Sequence, residues 1–216
     1  MSEPSRRELL KAVYTVDLNS FVERSFGVLE PGNQFMPAAY LERLSAALMQ
    51  VDARKVTRLI VNMPPRHLKS IVTSVVFPAW LLMRDPKTKC SRSSVTATCS
   101  ATTWRRNASA SSPTFTGLDE PLRGTITVVH QRLHEADLSG YLLSRGGWEI
   151  LCLPRVAEAE KTHKFGNYEW RRPVGDVLLP ERFPDAEIQK IRANNGETIF
   201  ATQWWQNPAS TRGELT

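Results

Sequence analysis

The sequence predicts an α/β domain with a mainly parallel sheet flanked by helices, and two observations carry that prediction. Short apolar runs rich in β-branched residues occur at 57–62, 125–129 and 148–153. Between and before them lie segments whose apolar residues recur at helical spacing. Strands that alternate with helices, rather than following one another through tight turns, pair in parallel.

Residues 5–25 carry Leu9, Leu10, Val13 and Val16, then Phe21, Val22 and Phe26, and predict one or two short helices ending near Gly27. Glu30-Pro31-Gly32-Asn33 is a turn. Residues 38–50 return to a helical period, and Thr57–Asn62 reads as a buried strand stopped by Pro64-Pro65. A buried helix is expected from Lys69 to about Met83, kinked by Pro78 near its middle. Ordered patterning resumes at Gly124 with a strand, a helix over 135–144 ending near Gly146-Gly147, and the strand Trp148–Leu153. Residues 154–180 read as polar and turn-rich, and 184–195 and 197–206 as helices. Trp204 and Trp205 are expected to pack the last helix down, and the six tryptophans to be core anchors rather than a base-stacking platform.

Composition bounds the function classes. The 216 residues suffice for one sizeable core, and 41% hydrophobic with 23% charged residues is ordinary for a soluble globular chain. No apolar run approaches the roughly 20 residues of a membrane span, and the N-terminus MSEPSRRELL predicts no signal peptide. Cys90, Cys99 and Cys152 form no CxxC pair, which favours free thiols in a reducing compartment. His67, His130, His134 and His163 are too scattered for a zinc site. The net charge of +6 favours nucleic acid as a partner without specifying any chemistry.

Met63-Pro64-Pro65-Arg66-His67-Leu68-Lys69-Ser70 joins a buried strand to a helix that opens on Lys-Ser. Such a loop can cradle a triphosphate with backbone N–H groups and the positive end of the helix dipole. Lys69 would reach the β- and γ-phosphates, and the Ser70 hydroxyl would ligate Mg²⁺. Met63 and Leu68 occupy the two glycine positions of G-x-x-x-x-G-K-S/T, and a side chain at 68 limits how closely the backbone approaches phosphate. An ordinary strand–turn–helix with a chance Lys-Ser is the competing reading of the same residues.

Asn-Met-Pro-Pro-Arg-His-x-Lys-Ser, followed by Phe77-Pro78-Ala79-Trp80, resembles the deviant Walker A segment of the tailed-phage terminase large subunit. Val128–Gly140 is similar to that family's coupling segment, in which a strand ends in Gln/Thr-Arg-x-His-Glu. Trp148–Pro154, Gly175–Phe183 and Phe200–Pro208 resemble later ATPase-domain landmarks in the same order. The resemblance covers about residues 17–88 and 122–213. It implies a P-loop NTPase-like fold, incomplete here, with ATP and Mg²⁺ as cofactors and Arg66, His67, Lys69 and Ser70 at the nucleotide. It also implies Gln131 and Arg132 as γ-phosphate sensors. The partners it implies are double-stranded DNA, a small terminase subunit and a portal, in the cytoplasm of a bacterial host carrying a prophage. The parent activity is ATP-driven translocation of viral DNA into procapsids.

Two departures qualify that expectation. P-loop motors need a second strand ending in a carboxylate pair, yet between Ser70 and Thr125 the only acids are Asp85, Asp119 and Glu120, none after a buried apolar run. Across 91–116, moreover, 17 of 26 positions are Ser, Thr or Ala, and neither structural period survives. Codons can be chosen for Val95–Arg105 so that a one-nucleotide shift reads Ser-Tyr-Gly-Asp-Met-Leu-Ser-Asp-Asp-Leu-Ala, close to the family segment. A natural linker is one explanation; a frameshift near residue 90 followed by a deletion is the other. The resemblance further implies a ribonuclease H-like nuclease beyond Thr216, of which nothing is present. The expected organisation is a helical lead-in at 1–55, the strand–loop–helix at 56–89, an aberrant segment at 90–123, and the rest of an ATPase domain at 124–216. The expected chain is a remnant that does not hydrolyse ATP. A non-catalytic basic protein binding DNA or a partner, and a different P-loop enzyme such as a small kinase, are the rival readings.

Overall fold

The computed structural model describes residues 5–90, 124–135, 137–165, 168–206 and 208, the side chains of Phe165, Tyr168 and Thr198 excepted. The chain begins with helices α1 (Arg6–Val16) and α2 (Leu18–Leu29). A capping box opens α1: the Glu8 amide donates to Ser5 Oγ, and the Ser5 amide donates to the Glu8 carboxylate at 2.7 Å. Asp17 ends α1 and caps α2, its carboxylate accepting from the Asn19 and Ser20 amides. Leu18, Val22 and Phe26, each four residues apart, point α2 into the core, where α3 (Ala39–Asp52) meets it with Tyr40, Leu41, Leu44, Leu48 and Val51.

A three-stranded parallel sheet carries the rest of the main core. Strand β1 (Arg58–Asn62) lies in the middle, with β2 (Ile126–His130) on one side and β3 (Glu149–Cys152) on the other. Alternation along β1 assigns its two faces. Leu59 and Val61 join the α2–α3 core, whereas Ile60 packs with Val128 and Leu142 on the opposite face. Leu142 belongs to helix α6 (Leu138–Ser144), so helices cover both faces and all four β1 side chains from Leu59 to Asn62 are buried. The expected α/β architecture, a parallel sheet flanked by helices, is therefore present.

The helix after β1 runs from α4 (Lys69–Ile71) through a π-helical turn (Val72–Val76) into α5 (Phe77–Arg84). The expected kink at Pro78 takes this form. Pro78 has no N–H to give, and its ring crowds the carbonyl four residues back. Widening the preceding turn answers both problems, and the Phe77 amide donates to the Val72 carbonyl, five residues back. Trp80 is buried beneath α1 and donates its indole N–H to the Tyr14 carbonyl at 2.8 Å.

The stretch 154–180, read as turns, contains an antiparallel hairpin of β4 (Lys161–Phe165) and β5 (Tyr168–Arg172), separate from the parallel sheet. Its inward residues include His163 and Arg172, both buried, with the His163 ring stacked on Trp170 at 5.2 Å. Two buried polar residues, His163 and Arg172, are not what a reading based on hydrophobicity looks for, although Gly166-Asn167 is a hairpin signal in the sequence. Helices α7 (Asp185–Asn195) and α8 (Glu197–Trp205) close the described chain around Phe183, Ile188, Phe200 and Trp204. Apart from Cys90, the aberrant segment expected at 90–123 lies outside the described residues. Among those described, Cys90 and Cys152 are free thiols, and no helix is long and apolar enough to cross a membrane.

Candidate functional site

Residues 63–69 lie at the C-terminal end of the central strand, where open parallel sheets place their ligands. Two non-glycine residues there adopt left-handed backbone conformations, Arg66 at φ 62° and Leu68 at φ 57°. Leu68 stands where the generic phosphate loop has its second glycine, and it takes the conformation that favours glycine, with its side chain packed against the core. Alternating the backbone in this way turns successive N–H groups toward one side, the arrangement that gathers anions. Lys69 then starts the helix.

Lys69 is 7% exposed and its Nζ donates to the Pro64 carbonyl at 3.1 Å, so the side chain folds back over its own loop. Among the described residues no carboxylate pairs with it. Burial pulls its ammonium down to about 8. A buried cation held by one carbonyl is electrostatically incomplete, and an anion would complete it.

His67 is fully buried beside Lys69. Its Nδ1 lies 2.7 Å from the Pro65 carbonyl oxygen, which can only accept, so that nitrogen carries the proton. The ring stacks on Phe183 at 5.2 Å and meets Tyr40 and Trp204 edge-on. Burial lowers its pKa to about 4, and it stays neutral at physiological pH. The sequence placed His67 among the nucleotide-contacting residues; it lies on the lining of the cavity beside the loop, and its ring also packs the loop against the aromatic cluster of Phe183 and Trp204.

Beside the loop lies an open cavity of about 260 Å³, lined by Arg66, Lys69, Ser70 and Arg182 together with Glu30 and Asn33 from the α2–α3 turn. A whole small-molecule ligand commonly needs roughly 300–1,000 Å³, so this volume suits phosphate groups better than an entire nucleotide. Arg66, Ser70 and Arg182 are exposed at it. No ion pair of Arg66, Lys69 or Arg182 occurs among the described residues. Glu30, the one carboxylate on the lining, accepts from Asn33 Nδ2 at 3.0 Å.

Gln131 and Arg132 follow β2 and do not line this cavity. Arg132 Nε donates to Asp137 at 3.0 Å, and its Nη2 reaches the His134 and Glu135 carbonyls. Asp137 also accepts from the Leu133 amide at 3.0 Å and caps α6 through the Gly140 amide at 2.9 Å. Arg132 and Asp137 thus knit the 130–140 turn. Ser139 Oγ joins that turn to the loop strand by donating to Asn62 Oδ1 at 3.0 Å. Nearby, Asn62 Nδ2 and both His130 ring nitrogens are buried without a hydrogen bond among the described residues. Burial lowers the His130 pKa, while Asp137, at 3.8 Å, opposes the shift.

In the sequence, Gly175–Phe183 stands as a landmark in which Arg182 has no assigned role. Arg155 and Arg172, both 1% exposed, likewise carry no expected role. Arg155 donates to the Leu178 carbonyl at 3.3 Å and to that of Phe183. Arg172 donates to the Pro154, Arg155 and Asp176 carbonyls and pairs with the Asp176 carboxylate at 2.9 Å. An arginine that saturates several carbonyls is invisible to a search for apolar periodicity, because its composition reads as surface. No group of three or more His, Cys, Asp or Glu side chains suited to a metal occurs among the described residues. Comparison of the chain with protein-family models, curated proteins and solved structures finds no match.

Proposed function

We propose that residues 63–70 form a phosphate-binding loop, and that the chain is a remnant of the ATPase domain of a tailed-phage terminase large subunit that holds nucleotide without turning it over. The observation that carries the reading is Lys69: a buried cation with no carboxylate paired to it among the described residues, opening a helix at the end of the central strand of a parallel sheet. The donor set fits a polyphosphate with Mg²⁺. Lys69 and Arg66 supply positive charge, the left-handed loop supplies amides, and the Ser70 hydroxyl would hold the metal. Bound Mg²⁺ would neutralise phosphate charge and fix its geometry.

The terminase reading draws support from spatial convergence. Three blocks that resemble the family meet around the loop: Arg182 and Phe183 beside it, Trp204 against His67, and Ser139 on Asn62. Gln206, from the last block, accepts the Arg132 amide at 3.2 Å and so joins two of them. Hydrolysis needs a carboxylate to position the attacking water, and the sequence between the loop and β2 offers none after a run of apolar residues. DNA, portal and small-subunit contacts, and a place in the cytoplasm of a prophage-carrying bacterium, belong to the parent protein on this reading. Calorimetry with magnesium and ATPγS tests it on the intact chain and Lys69→Ala. Binding that is lost in the variant supports the phosphate loop. A folded wild-type chain that binds nothing, or a variant that binds equally well, overturns it.

A further inference from the structure

Three cations from two separate segments face one cavity with a single carboxylate among them. Arg66 and Lys69 come from the loop, and Arg182 arrives from 113 residues beyond Lys69 along the chain. Its guanidinium lies 5.8 Å from the Phe183 ring centroid, and no carboxylate pairs with it among the described residues. A solvated arginine on a random surface needs no explanation. Here its own segment is held in place at several points.

The neighbouring Phe183 is buried and stacked on His67, itself part of the phosphate loop. The Phe183 carbonyl accepts from Arg155. The Leu178 amide donates to the Arg155 carbonyl at 2.7 Å, and the Leu178 carbonyl accepts from the Arg155 guanidinium at 3.3 Å. Arg172 in turn donates to the Arg155 carbonyl. Phe183 is therefore packed on the loop that carries Lys69, and both it and Leu178 are tied to Arg155, which holds the two cationic segments beside each other. Holding three like charges around one cavity opposes folding, and such an arrangement is useful where an anion offsets the repulsion.

We propose that Arg182 is a further phosphate ligand, and that the site it completes takes a di- or triphosphate in preference to a single phosphate. Lys69 is a point charge at the loop floor, whereas Arg182 offers a planar fork suited to two oxygens. One phosphate can satisfy the loop alone. A chain of two or three phosphates can also reach the second segment, and only such a ligand gains from both. Glu30 faces the same cavity, where it disfavours bare anion and favours a ligand carrying its own cation. This inference rests on the phosphate-loop reading.

The test is calorimetric titration of the full chain, at fixed ionic strength, with inorganic tripolyphosphate and with orthophosphate. The proteins compared are wild type, Arg182→Ala, Lys69→Ala and Arg171→Ala, each checked for folding by circular dichroism. Arg171 is an exposed residue of the hairpin, paired with Glu160 at 2.8 Å, and controls for loss of one positive charge. The expected result is a loss of about tenfold or more in tripolyphosphate affinity for Arg182→Ala, a smaller change for orthophosphate, and none for Arg171→Ala. Wild-type affinity in Arg182→Ala, with binding abolished in Lys69→Ala, overturns the role of Arg182 and leaves the phosphate loop standing. Equal losses in Arg182→Ala and Arg171→Ala also overturn it, by reducing the effect to net charge. A folded wild-type chain that binds neither tripolyphosphate nor magnesium–ATPγS overturns both readings.

Discussion

Replacing Lys69 with methionine is expected to make the free protein more stable while removing its capacity to hold polyphosphate. Burial holds the Lys69 ammonium at about 8, against 10.5 for the group in water. That gap corresponds to roughly 3 kcal/mol opposing folding at pH 7, where the group is charged in both states. Methionine has similar length and no charge, and removes that opposition. It also leaves the Pro64 carbonyl without its 3.1 Å donor, which costs about 1–2 kcal/mol. The net gain expected at pH 7 is about 1–2 kcal/mol. Its sign depends on pH. Between about 8 and 10.5 the unfolded chain keeps a proton on Lys69 that the folded chain has released. Wild-type stability therefore rises through that window, and the advantage of Lys69→Met shrinks and then reverses. Urea unfolding of both proteins at pH 7 and pH 10 measures the difference, with the m-value as a check on two-state behaviour. A variant less stable than wild type at pH 7, or one with the same pH dependence, would refute the argument. In that case Lys69 would carry no unrelieved burial cost and would have no special need of an anion.

Two further outcomes are expected. His67 is held near 4 by burial, below the 6.5 of the free group. The stability it contributes is complete above pH 6.5 and is lost as the pH falls toward 4, by roughly 3 kcal/mol, because the unfolded chain takes up the proton first. Urea midpoints at pH 7 and pH 5 follow this loss, and His67→Phe, which keeps an aromatic ring beside Phe183, should flatten the slope. An unchanged slope would remove His67 as its source. At Gly140 an added Cβ would meet the Glu135 carbonyl oxygen at 1.8 Å, a contact with backbone that no rotamer relieves. Gly140→Ala is therefore expected to distort the Arg132–Asp137 turn and destabilise the protein by about 2–4 kcal/mol in thermal or urea unfolding. A change within about 0.5 kcal/mol would show that the turn gives way easily.

The strand–loop–helix at the candidate site was legible because its signals are local. Four apolar residues end at a proline pair, and Lys-Ser opens a run of apolar helix. The same holds for α2, α3, α7 and α8, whose apolar spacing repeats within a few turns. The hairpin at 161–172 was not legible, since its buried residues among the described side chains are a histidine and an arginine. Their burial depends on Trp170 and on carbonyls of residues 154–155 and 176. Pro78 was read as a kink, and its answer as a π turn is a backbone hydrogen-bonding solution that residue types alone do not name.

By itself, then, the sequence determined the class of the fold, the place of the loop on a strand end, and the cationic residues at 66 and 69. Each follows from period, turn chemistry and charge within a dozen residues. Only the tertiary structure decided that Lys69 is buried without a counterion among the described residues, that His67 faces an aromatic cluster, and that Arg182 reaches the same cavity. These properties depend on what packs against a residue from far along the chain, and burial and electrostatic field are sums over neighbours that no local pattern contains.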